Sequence, residues 1–286
     1  RDLHSLRRRQ RQNVYKRQGE TIEEEVTPKD FGRVAAQTAK QIVVQRVKEA
    51  EKQSISGEFQ DKDGELMVGT LSREDQKNYF VDLGRASGIL PKDQIIPGEK
   101  LVMGSSVKVY VSKLELGPKG PFIMLSRSHY GFVKRLLEIE VPELNDGTVM
   151  LYSVARDAGS RTKIAVYTDY ANVEPLGAVI GEKGRRIASV LKELGGEKID
   201  VVLYDKDPAK FIANALSPAK NVKVTIKDES KKEALAVVPD DNLSLAIGRK
   251  GQNVKLASRL THYKIEVKSQ LAVNEENAEE VEASEK

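Results

Sequence analysis

The chain contains no cysteine. Disulfides, thiolate metal sites and cysteine nucleophiles are excluded, and the composition suits a reducing compartment, so a cytoplasmic location is expected. No apolar run approaches the roughly 18 residues that span a bilayer. The basic start also lacks the apolar core of a secretory signal, so no membrane association is expected. Signatures of catalysis are scarce. There is no phosphate loop ending in Lys-Ser/Thr, no dinucleotide fingerprint and no His-Glu-x-x-His zinc motif. The only histidines, His4, His129 and His262, are scattered along the chain, which suits surface or capping roles rather than metal binding. Carboxylates are plentiful but form no acid–base constellation. These absences predict a non-enzyme without cofactor or metal.

With 286 residues the chain can hold two or three small domains. Hydrophobic residues make up 39% and charged residues 31%, a balance that folds around modest cores. The net charge of +4 is too small to establish nucleic-acid binding, so local charge must carry that argument.

Periodicity divides the chain. Residues 1–19 are rich in arginine, lysine and glutamine without an apolar period, which reads as a basic, disordered arm. Over 20–55, Thr27, Pro28 and Asp30 offer a cap, a first-turn proline and an early acid. Phe31, Val34, Ala35, Thr38, Ala39, Ile42, Val43 and Val47 then form a helical stripe. Residues 56–128 change period. Leu66–Thr70, Tyr79–Gly84, Ser106–Leu114 and Phe122–Leu125 are short strand candidates, separated by breaks at Gly88, Pro91, Pro97, Gly98, Gly117 and Gly120. That pattern predicts a small barrel. Mixed helix and strand patterns fill 129–206 and 207–270, and 271–286 is an acidic tail.

The last two segments repeat one unit. Gly181-Glu182-Lys183-Gly184 and Gly248-Arg249-Lys250-Gly251 each follow an isoleucine, Ile180 or Ile247. Each precedes an amphipathic helix and leads to a similar strand, Lys198–Val201 or Lys264–Val267. A whole loop–helix–strand unit recurring after about 67 residues marks tandem domains. The chemistry of such a loop is physical. Glycine lets a ligand backbone approach the main chain. The helix beyond presents unpaired amides and the positive end of its dipole, both favourable to phosphate. Lys183, Arg185 and Arg186 add charge to the first loop; Arg249, Lys250 and Lys255 do so at the second, with Gln252 beside them. Glu182 opposes phosphate at the first. Val179, Ile180 and Ile187, and Ala246, Ile247 and Val254, are expected to line an apolar bed for bases. In the barrel, Phe80 offers base stacking, and Arg73, Lys77 and Arg127 offer phosphate contacts.

These units resemble paired type II KH domains, and the strand-rich segment before them resembles an S1-type OB barrel. The stretches Val26–Arg33, Ala155–Val166, Glu193–Asp200 and Ala246–Val254 are similar, in order, to the NusA family of bacterial transcription factors. The resemblance covers Gly19 to Gln270. It implies an α+β multidomain fold: a five-stranded S1-type OB β-barrel followed by two tandem type II KH α/β domains. Only the last helix of the family's N-terminal, polymerase-docking domain is expected here. The implied function is an RNA-binding elongation factor that modulates pausing, termination and antitermination. The implied partners are single-stranded nascent RNA, RNA polymerase and other transcription factors, with the chain itself monomeric. The alternative is the RNA-gripping part of an RNA-processing or RNA-degrading enzyme.

Overall fold

The computed structural model describes residues 31–117 and 120–274. The basic arm, the Thr27–Asp30 cap and the acidic tail from 275 onward lie outside the described residues. The chain forms two units, Arg1–Glu51 and Lys52–Lys286. In the first, helix α1 (Phe31–Gln60) carries the stripe that the periodicity predicts and runs into the second unit's span. Its expected apolar residues Val34, Ile42, Val43 and Val47 are exposed. Among the described residues no helix is long and apolar enough to cross a membrane.

The second unit opens with a closed barrel. Its strands are β1 (Leu66–Glu74), β2 (Asn78–Asp82), β3 (Ser87–Pro91), β4 (Ser106–Gly117) and β5 (Gly120–Ser126), in the order β1-β2-β3-β5-β4. All pairs are antiparallel except β3 with β5. Alternate residues point inward, so Leu71, Val81, Leu90, Val109, Val111, Ile123 and Leu125 fill the interior. Strand β3 corrects the sequence reading, in which Gly88 and Pro91 were breaks between strands. Gly88 lies within β3, paired with Val81 and Ile123, and glycine stands there because a side chain would overlap Leu125. Pro91 closes the strand, where the missing amide costs little.

Two modules of one design follow. The first contains α2 (Tyr130–Glu140), α3 (Pro142–Asn145), β6 (Met150–Asp157), β7 (Arg161–Tyr167), α4 (Pro175–Ile180), α5 (Arg185–Glu193) and β8 (Lys198–Leu203). The second contains α6 (Pro208–Ala215), β9 (Lys223–Asp228), β10 (Glu233–Val238), α7 (Leu243–Ile247), α8 (Gln252–Thr261) and β11 (Lys264–Ser269). In each, the first two strands are antiparallel and the third runs parallel to the second. This gives the α+β architecture of a barrel and two KH-type modules.

The helices start where local chemistry allows. His129 caps α2 by accepting the Gly131 amide at 3.1 Å, and Asp207 caps α6 through the Ala209 amide at 2.9 Å, ahead of Pro208. Helix α5 ends at Gly195 and Gly196, both at positive φ.

Packing joins the modules. One face of the first module's sheet, including Ile164 and Val166, packs on its own Phe132, Leu136, Val190 and Leu194. The other face, with Ala155, Ala165 and Val202, shares a core with Phe211, Ile212, Leu256 and Leu260 of the second module. A common core is a much stiffer connection than a linker, because separating the modules exposes apolar surface at about 25 cal/mol per Å².

Candidate nucleic-acid interface

The two glycine loops have the same backbone path. In the first, Gly181 sits at φ 75°, ψ 172°, Lys183 at 51°, 28° and Gly184 at 74°, 16°. In the second, Gly248 sits at 73°, 171°, Lys250 at 53°, 28° and Gly251 at 73°, 15°. Each loop is closed by the last glycine's amide donating to the carbonyl of the first, at 3.0 and 3.1 Å. A lysine in the left-handed region costs about 1–2 kcal/mol, and both loops carry one at the same place.

The glycines divide the work. A Cβ on Gly181 would meet Arg186 Cγ at 2.7 Å, and one on Gly248 would meet Asn253 Cβ at 2.7 Å. The first glycine of each loop therefore lets the next helix pack closely. On Gly184 and Gly251 a Cβ would meet nothing nearer than 4.0 and 3.9 Å, so their open side is free for a ligand backbone.

Lys183, Arg185, Arg249, Lys250 and Lys255 are exposed and, among the described residues, make no ion pair. Glu182 is exposed on the first loop as well. Arg186 points elsewhere. It pairs with Glu143 at 2.7 Å and donates to the Ala178 carbonyl at 2.6 Å. Asn253 occupies the equivalent place in the second module, donating to the carbonyls of Leu245, Ala246 and Leu216 at 3.2, 3.0 and 3.1 Å. The second residue after each loop thus ties down the end of the preceding helix. The apolar bed is narrower than the sequence suggests. Val179 and Ala246 are fully buried, Ile187 and Val254 pack partly against the cores, and Ile180 remains 39% exposed beside its loop, with Ile247 half-buried.

On the barrel, Phe80 and Arg73 face one another across β1 and β2, with the guanidinium 4.0 Å from the ring centroid. Lys77 is exposed in the turn between these strands. The ring is half-buried and the cation exposed, an arrangement that can stack on a base. Arg127 departs from its expected role as a phosphate contact. It is 2% exposed and bound to Glu99 at 2.5 and 2.9 Å and to Glu193 at 3.1 Å. It also donates to the Lys108 carbonyl. Its charge is spent on joining the barrel to α5, because a desolvated guanidinium requires carboxylate partners.

Gln252 serves the seam between the modules. Its amide nitrogen donates to Asp157 Oδ2 at 2.5 Å and to Ser160 Oγ at 2.7 Å. The β6–β7 turn of the first module and the second loop thereby enclose a cleft of about 360 Å³, lined by Asp157, Ser160, Arg249, Lys250, Gln252 and Lys255. Deeper in the seam, fully buried Lys163 reaches Asp200 at 3.0 Å and the Ser217 carbonyl at 2.7 Å. Burial pulls the Lys163 ammonium below its usual range, against the pull of Asp200. Burial pushes the Asp200 carboxyl up, but Arg161 and Lys163 outweigh it and hold the group low. Sequence reasoning missed Asp157 and Ser160 as parts of this surface, and buried Lys163 and Asn253 as its supports, since no linear spacing links residues 157 and 252. Among the described residues no group of His, Cys, Asp and Glu could hold a metal ion.

Comparison with known proteins matches three family models to the chain. They are a NusA-like first KH domain over residues 127–204, a NusA-like second KH domain over 208–275 and a NusA N-terminal domain over 5–53. The N-terminal match thus begins inside the stretch read from sequence as a basic arm. The transcription termination/antitermination protein NusA of Bacillus subtilis is 50% identical over 257 residues, which cover 90% of this chain and 69% of that protein. Its counterpart in Halalkalibacterium halodurans is 49% identical, covering 90% and 67%. That of Mycobacterium tuberculosis is 44% identical, covering 85% and 72%.

Proposed function

The chain belongs to the NusA family of transcription termination/antitermination proteins, and on that premise we propose that it grips single-stranded nascent RNA and, with RNA polymerase, modulates pausing, termination and antitermination. The observation that carries this reading is the pair of glycine loops with matching backbone angles, each open on its second glycine and flanked by exposed cations that, among the described residues, make no ion pair. Backbone amides and the start of α5 or α8 bind phosphates; Ile180 and Ile247 lie under the bases; Phe80 and Arg73 add a stacking point on the barrel. In this reading the chain acts as a monomer, without catalysis, and the RNA-binding modules are the barrel over 56–128 and the KH domains over 129–206 and 207–270. The shared core holds both KH clefts in one frame, so a bound strand meets the second cleft at high effective concentration.

The test is photocrosslinking of a 4-thiouridine-containing single-stranded RNA to the purified chain, followed by peptide mapping. Crosslinks are expected in 180–187 and 247–255. Crosslinks confined to other surfaces overturn the reading.

A further inference from the structure

The cleft between the second glycine loop and the β6–β7 turn contains a group that a simple phosphate channel does not need. Arg249, Lys250 and Lys255 line one part of it, and the Asp157 carboxylate lines another. A carboxylate beside a phosphate path repels the strand, and Asp157, although one oxygen accepts from Gln252 across the seam, stays exposed.

Gln252 narrows the role of Asp157. Its amide nitrogen is committed to Asp157 Oδ2 and Ser160 Oγ, leaving the amide oxygen as its remaining polar atom. Asp157 Oδ1 accepts no hydrogen bond within the described residues. An ionised carboxylate only accepts, and so does an amide oxygen. The cleft therefore sets cations against a pair of acceptors contributed by both modules.

A nucleotide satisfies both halves. Its phosphate meets the cations while its base turns an edge toward the acceptors. Cytosine, adenine and guanine carry an exocyclic amine that can donate there; uracil offers only its N3–H, flanked on both sides by carbonyl oxygens that face a carboxylate unfavourably. The cleft volume of about 360 Å³ falls within the range of small-ligand sites. We propose that this seam is a base-reading site, in which Asp157, held by Gln252, accepts a hydrogen bond from the exocyclic amine of one nucleobase and discriminates against uracil. The proposal rests on the RNA-binding reading above and adds to it a specificity residue outside the glycine loops.

Fluorescence anisotropy on the full chain tests it, using labelled 12-nucleotide oligouridylate and the same RNA carrying one central cytidine, adenosine or guanosine. The wild type is expected to bind the amine-bearing RNAs about tenfold more tightly than oligouridylate, the scale of one good base contact. Asp157→Leu should erase that preference while binding oligouridylate at least as tightly, since a negative charge has been removed. Gln252→Ala, which releases Asp157 but keeps the carboxylate, should weaken the preference less than Asp157→Leu does. If the wild type binds oligouridylate without preference, or if Asp157→Leu keeps it, the proposal fails and RNA binding stands. Equal loss in both variants assigns the effect to seam geometry and also overturns the proposal. Failure of the wild type to bind any of these RNAs removes the RNA-binding reading itself.

Discussion

Arg156 and Glu197 form an ion pair at 2.9 Å with side chains only 2% and 0% exposed. Glu197 also accepts the Gly159 amide at 3.0 Å and the Thr162 hydroxyl. Arg156 donates to the Arg127 and His129 carbonyls at 2.7 and 2.8 Å. One buried pair thus fastens the β6–β7 hairpin, the α5–β8 turn and the segment leaving the barrel. The hairpin it holds carries Asp157 and Ser160 to the seam.

Removing one partner strands the other charge in the interior. Glu197→Ala is expected to lower stability by about 3–5 kcal/mol, read as a drop in the urea midpoint. Replacing both with methionine should recover part of that loss. An unchanged midpoint in Glu197→Ala would show that water reaches the pair.

The glycines in each loop should respond differently. Gly184→Asp and Gly251→Asp place a negative charge on the open side of the loops, at a positive φ that strains aspartate less than most residues. The double variant is expected to lose RNA affinity with its far-ultraviolet circular dichroism intact. Gly181→Ala and Gly248→Ala instead push a Cβ into Arg186 and Asn253. They should lower thermal stability even without RNA. Equal effects of all four on folding argue against this division.

Phosphate contacts release counterions, so affinity should fall as salt rises. For single strands each contact contributes roughly 0.7 to the slope of log K against log salt. Arg249→Gln with Lys250→Gln should therefore reduce the slope by about 1.4. Arg127→Gln, whose charge is already neutralised by Glu99 and Glu193, should leave the slope unchanged and lower the denaturation midpoint. Anisotropy titrations from low to moderate salt separate the two.

His129 ties stability to pH. Its ring stacks on Tyr110 at 4.9 Å, and its Nδ1 accepts the Gly131 amide. Burial, and then the Arg156 charge, lower its pKa below the usual 6.5. Below pH 6.5 the unfolded chain takes up a proton that the folded chain resists. The folded state is therefore at full stability above that value and loses stability as pH falls toward the folded pKa. His129→Asn keeps a cap without titrating. Urea midpoints measured from pH 7.5 to 5.5 should fall less in this variant than in the wild type. Parallel curves would exclude His129 as the cause.

Local signals made much of the fold legible. The stripe from Val34 to Val47, the strands over Ser106–Leu114 and Phe122–Leu125 and the two loop–helix–strand units read correctly because they depend on neighbours in sequence. Strand β3 did not, because Gly88 is required by the Leu125 side chain, which is distant in sequence. Among the site residues, Lys183, Arg249, Lys250 and the glycines stand in their loops as the pattern implied. Arg127 and Arg186 were misplaced for one reason. A cation's role depends on which carboxylates the fold brings to it, and Glu99, Glu193 and Glu143 are remote in the chain.

By itself the sequence determined the repeated loop, since a positive φ at fixed points favours glycine there, and charge on the flanking positions needs no partner to be read. Only the tertiary structure decided which of those charges face solvent. It also decided that two KH sheets share one core and that Asp157 meets Gln252. Such contacts join surfaces whose complementarity is written in three dimensions, and no short-range period encodes them.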